Sequence, residues 1–288
     1  MAIYKRGYQR YRGTIRGRWA RMMVLPRFAW HHLFQQRLVV LLLVVSMVWP
    51  LLCALFLYIG NNTDLLKGMR IGSDFLDFMQ GNGMFFLVFM NVQAWFAVFL
   101  AALTGPGCIA PDLANNALPL YFSRPISRME YALGRLGTLV GLLSIVTWIP
   151  GLTLFAMQAA MADSPWLQEN WGIGAGLFAG FLLWILLVSL VALAGSACVK
   201  MKVIAGGLVL GFFFILIGAS GIIKLVFRSD WGNIVNPAWA TRRIWYAMLD
   251  IEPPAGPGTL ACLCILAGIA ILLALVLNRK LRPVEVIR

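Results

Sequence analysis

Apolar runs of about one bilayer thickness, separated by short polar or charged stretches, organise the chain. Leu38–Ile59 is the first; it carries no charge, and at 1.5 Å per residue it reaches about 33 Å, enough to cross a hydrocarbon core. Met84–Leu103, Leu136–Ala159, Gly172–Leu193, Val203–Leu225 and Thr259–Leu277 follow. The pattern predicts an all-α polytopic membrane protein: a basic arm (1–37), a six-helix transmembrane domain (38–277) and a basic tail (278–288). Pro50 is expected to kink span one. The longer segment Val226–Gly258, before span six, is expected to hold re-entrant or interfacial helices.

Composition agrees with this reading. Hydrophobic residues make up 61% of the 288 and charged residues only 12%, so lipid is the natural solvent. The formal charge of +13 does not indicate nucleic acid, because the Lys and Arg residues cluster at the ends of the apolar runs, as topology requires. With the amino terminus inside, most of them fall on inner segments, which favours both termini in the cytoplasm. Arg228, Arg242 and Arg243, with Lys224 just before them, are the main outer exceptions. The arm is too basic, and the run after it too long, for a cleavable signal. Cys53, Cys108, Cys198, Cys262 and Cys264 lie in or beside apolar stretches, which predicts neither a disulfide framework nor a metal site.

Within the arm, Ile15, Trp19, Met22 and Met23 recur at helical spacing, with Arg12, Arg16, Arg18 and Arg21 left for other faces. That pattern predicts an amphipathic helix on the inner leaflet, in contact with membrane lipid, which Pro26 then interrupts. The alternative is a disordered basic arm that only sets topology. His31 and His32 are read as interfacial polar residues. No span holds an acid or a histidine in its interior, and Lys224 is near enough to an end to snorkel; both observations count against an ion-coupled carrier. Glycines four apart, at Gly137 and Gly141, Gly172, Gly176 and Gly180, and Gly207 and Gly211, predict close helix contacts within one chain or between two.

The connection between spans two and three carries the most information. Gly105, Pro106 and Gly107 break span two, and Pro111-Asp112 then suits the first turn of a short helix, taken as 109–118 and closed by Pro119. Ser127 and Glu130 fit a capping box for the next helix. A short capped helix between two spans can pass force from a docked partner into the bilayer. The plain reading is an ordinary loop with snorkelling Arg124 and Arg128.

The segment resembles the coupling-helix region of permease subunits of ABC-2 type ABC transporters, an exporter family. The match rests on Ile109, Asp112, Leu118, Leu120, Ser123, Arg124, Pro125, Ile126, Ser127, Arg128, Tyr131, Gly134 and Arg135. It departs from the family pattern where Asn115 and Asn116 replace the usual Gly and Arg135 the usual Lys. The resemblance implies that Ile109, Asp112, Leu113, Arg124, Pro125 and Arg128 couple to a separate ABC ATPase subunit. It further implies a second permease chain, identical or not, and a bacterial cytoplasmic (inner) membrane.

The sequence contains no G-x-x-x-x-G-K-[ST] loop, so ATP and Mg are expected on the partner, with no cofactor, metal or catalytic residue here. Uncharged spans point to an apolar or amphiphilic cargo. Two other classes fit the sequence less well. One is a non-transporting scaffold or anchor subunit of a larger membrane complex. The other is an intramembrane enzyme, disfavoured because no Ser/His pair, paired Asp or His/Glu cluster occurs within the spans.

Overall fold

The computed structural model describes residues 23–62, 78, 81–117, 121, 127–162 and 165–281. Among them every regular element is helical, and six helices or helix pairs are long and apolar enough to cross a membrane. The chain is an integral membrane protein. Its elements are α1 (Val24–Phe34), α2 (Arg37–Asn61), α3 (Gly83–Thr104), α4 (Pro106–Ala114), α5 (Arg128–Val146), α6 (Trp148–Met161), α7 (Trp166–Cys198), α8 (Lys202–Phe227), a 3-10 helix (Asp230–Val235), α9 (Pro237–Met248) and α10 (Thr259–Lys280). The spans are α2, the α3–α4 pair, the α5–α6 pair, α7, α8 and α10; the second, third and fourth run two or more turns beyond the sequence boundaries, the others stay close to them. The proposed interfacial residues Arg12, Ile15, Arg16, Trp19, Arg21 and Met22, together with Arg124, Pro125 and the end of the tail, lie outside the described residues.

Span three and α1 depart from the sequence reading. Span three is expected to be continuous, but it breaks at Thr147, whose φ and ψ are −106° and −95°. The cause is Pro150, which has no N–H to give Val146 and whose ring would press on that carbonyl. Pro26 is expected to stop a helix, yet α1 runs through it. It stands in the first turn, where the missing N–H has no intrahelical partner to lose.

Burial separates the spans into a centre and a rim. In α7, 67% of the most apolar window is buried, against 22% in α2 and α8 and 17% in α10. The buried residues of α2 are Val39, Leu43, Ser46, Pro50, Cys53, Leu57 and Gly60, alternating steps of four and three that place one seam against the bundle. Their Leu and Val neighbours face outward. Because lipid is as apolar as leucine, this packing is held by close contact and hydrogen bonds more than by exclusion of water. The indole N–H of Trp184 donates to Ala94 O at 3.1 Å, and that of Trp245 to Gly180 O at 3.0 Å, joining α7 to α3 and α9 to α7.

The glycines show what approaches what. A Cβ on Gly141 would sit 2.2 Å from the Trp30 ring of α1, whose indole N–H donates to Thr138 O at 2.9 Å; Pro26 lies over Gly137. Gly176 and Gly180 admit Met248 and Trp245 of α9. These four therefore seat the shorter helices α1 and α9 on spans. Gly207 has nothing within 4 Å, and Gly211 meets only Ile215 of its own helix. Outside the four-residue spacing, Gly206 brings α8 onto the Ala102 carbonyl of α3, 2.7 Å from where a Cβ would lie.

The segment after α8 folds back on the bundle. Lys224 pairs with Asp230 at 2.8 Å, and Gly232 lies against the Lys224 backbone. Asn236 then caps α9, its Oδ1 accepting from Ala238 N (3.0 Å) and Trp239 N (3.2 Å) ahead of Pro237. Helix α9 packs on α7 and α10, with Ala240, Thr241, Ile244 and Trp245 buried.

Candidate functional site

The connection between spans two and three is anchored on three sides. Gly105 keeps right-handed helical angles, φ −56° and ψ −42°, so glycine is not needed there for its turn. It is needed for space: a Cβ would lie 2.6 Å from the Ala192 Cβ of α7. Pro106 supplies the break, since it cannot donate to the Ala102 carbonyl, the carbonyl on which Gly206 rests. Helix α4 therefore starts at Pro106, three residues before the expected Ile109, and ends at Ala114 rather than Leu118.

Pro106, Gly107 and Cys108 make the first turn, and Cys108 N donates to Gly105 O at 2.9 Å. Just past that turn, Ser196 of α7 tethers α4 from across the bundle. Its Oγ accepts from Ile109 N at 3.2 Å and from Ala110 N at 2.9 Å, and donates to Pro106 O at 3.2 Å. Ser196 is fully buried, so these groups have no water to fall back on.

The other end closes in a Schellman motif: Ala117 N donates to Asp112 O (2.8 Å) and Asn116 N to Leu113 O (3.3 Å). Asn116 takes φ 49°, a left-handed conformation that asparagine tolerates better than most residues. The asparagine standing where the resembling pattern has glycine thus meets the same backbone demand.

Asp112 turns out to lie in the last turn of α4, so the first-turn dipole argument does not apply to it. Its compensation comes from α5. Asp112 Oδ2 accepts from Tyr131 Oη and from Arg135 Nη2, each at 2.5 Å. Tyr131 and Arg135 are four apart and share a helix face; the guanidinium also lies 5.3 Å from the Tyr131 ring centroid. The side chains of Arg135 and Asp112 are only 12% and 15% exposed, so the pair is largely withdrawn from solvent and its hydrogen bonds are charge-assisted. Tyr121 packs on Tyr131 at 5.4 Å. Ser127 begins α5 with the expected capping box: its N donates to Glu130 Oε2 (2.8 Å) and its Oγ accepts from Glu130 N (3.2 Å).

The sequence-predicted coupling residues separate accordingly. Ile109 is fully buried and anchors α4 to the bundle, so it offers no free face. Asp112 is engaged with α5, Leu113 is half-buried, and Arg128 is exposed at the start of α5. What α4 leaves outward is Gly107, Ala114, Asn115 and Asn116. Sequence reasoning missed the roles of Tyr131, Arg135 and Ser196. The first two carried a signal, an aromatic and a base one helical turn apart after an acid; a lone serine near the end of an apolar span carried none. No protein-family model matches this sequence, and no curated protein matches it.

Proposed function

We propose that the chain is the membrane-spanning permease subunit of an ATP-driven transporter of the ABC-2 type, drawing on a separate ATPase chain and moving an apolar or amphiphilic cargo. The observation that carries this reading is the clamping of α4: its start is held by Ser196 of α7 and its end by Tyr131 and Arg135 of α5. A helix fixed at both ends to different spans moves only if those spans move. In this reading α4 and the exposed Arg128 face the cytoplasm, and the ATPase presses on the outward surface at Ala114, Asn115 and Asn116. Closure of the ATPase pair then shifts α4, and with it the relative positions of α3, α5 and α7. Both termini are cytoplasmic, in a bacterial inner membrane, and two permease chains form the path.

The test places a photo-crosslinking residue at Asn115 in the full-length chain in native membranes. The expected product is an adduct with a P-loop ATPase whose turnover falls when Asp112 is replaced by Ala. Labelling of Asn115 from the outer face would remove the assignment. An ATPase adduct whose turnover ignores Asp112→Ala, with cargo unmoved, would favour the scaffold reading.

A further inference from the structure

A cavity of about 840 Å³ opens between α5, α7 and α10, at the end of the bundle that carries α4. Its size falls in the range of sites that hold small molecules. Both α5 and α10 pack along α7, and the space between them is lined by Leu133 and Leu136, Leu190 and Leu193, and Ala274 and Leu275. One end is polar: Ser127, Arg128 and Asn278. No acidic side chain lines it, and the last turn of α10 adds Arg279 and Lys280 directly after Asn278. Arg128 makes no ion pair among the described residues.

Two properties select the occupant. Most of the lining belongs to membrane-crossing helices, so the occupant resides in the bilayer. The lining covers 128 to 136 on α5 and 271 to 278 on α10, with Leu281 just beyond it, a helical rise of about 11–12 Å, within the roughly 15 Å of one leaflet's hydrocarbon. A second copy seated here in a two-fold arrangement would bring its own basic end against this one. An anionic amphiphile brings the opposite charge.

We propose that this groove is a binding site for an anionic phospholipid, its acyl chain along Leu136, Leu190 and Leu193 and its phosphate at Arg128, with Arg279 and Lys280 adding to the local positive field. The site does not depend on the transport reading.

The experiment is native mass spectrometry of the full-length chain in mild detergent, titrated with phosphatidylglycerol or phosphatidylcholine. The wild type is expected to retain one phosphatidylglycerol and to prefer it about tenfold: both phosphates can accept from Arg128, but only phosphatidylcholine also brings a cationic ammonium against the basic end. Arg128→Gln removes most of that preference. Ala274→Trp, at an exposed wall position, fills the groove and abolishes retention; Leu133→Trp on the facing wall does the same and serves if the first variant fails to fold. Equal retention of the two lipids by the wild type, phosphatidylglycerol binding unchanged in the variants, or a dimer that Ala274→Trp dissociates would each overturn the proposal.

Discussion

Replacing Ser196 by alanine removes a single hydroxyl from a site that has no solvent, and the consequence can be worked from the geometry. The hydroxyl satisfies Ile109 N and Ala110 N and caps the Pro106 carbonyl. Leaving a buried donor unsatisfied costs about 1–3 kcal/mol, and with two donors sharing one acceptor we take about 2 kcal/mol for the opening of α4. That figure corresponds to about a 30-fold rise in the population of the detached helix. Hydrogen exchange over residues 106–117, followed by mass spectrometry on the reconstituted protein, reads this opening directly. Exchange there is expected to speed up about 30-fold in Ser196→Ala, while α2 and α10 keep wild-type protection. Ser189 provides the control: it is fully buried on the same helix, and its hydroxyl has no hydrogen-bond partner among the described residues. Ser189→Ala is therefore expected to be neutral or slightly stabilising. Equal protection of 106–117 in Ser196→Ala and wild type, or equal loss in both alanine variants, would refute the argument.

Three further outcomes follow from the same contacts. Asp112→Ala strands the Arg135 guanidinium, 12% exposed, without its counter-charge; the expected loss is about 3–5 kcal/mol, read as a lower thermal midpoint, and Asp112→Ala with Arg135→Leu is expected to recover part of it. Gly141→Ala sets a methyl 2.2 Å from the Trp30 ring, so α1 is expected to lift from α5 and become a site of limited proteolysis while the six spans stay protected. Asp230→Asn breaks an ion pair whose side chains are 54% and 42% exposed, and unfolding is expected to shift by no more than about 1 kcal/mol, less in high salt.

The number of membrane-crossing helices and their approximate limits were legible in the sequence because hydrocarbon imposes a length and excludes charge. Those constraints act on each segment by itself. The capping box at Ser127 was legible for the same reason, since both partners lie within one turn. Which face of each span turns inward was not legible. In α2 leucine and valine stand on both sides, and only the alternating four-and-three seam from Val39 to Gly60, visible once α3 is beside it, separates packed from lipid-facing positions. The start of α4 was not legible because two prolines, Pro106 and Pro111, each suit a first turn. Tertiary contact decided for Pro106, since Ser196, distant in sequence, donates to the Pro106 carbonyl and accepts from Ile109 N and Ala110 N. Asp112 was legible as a residue of interest but not as the partner of Tyr131 and Arg135. A local rule can reward an acid near a helix start; it has no means of reporting which base from another helix will arrive, because that is fixed by how the spans cross.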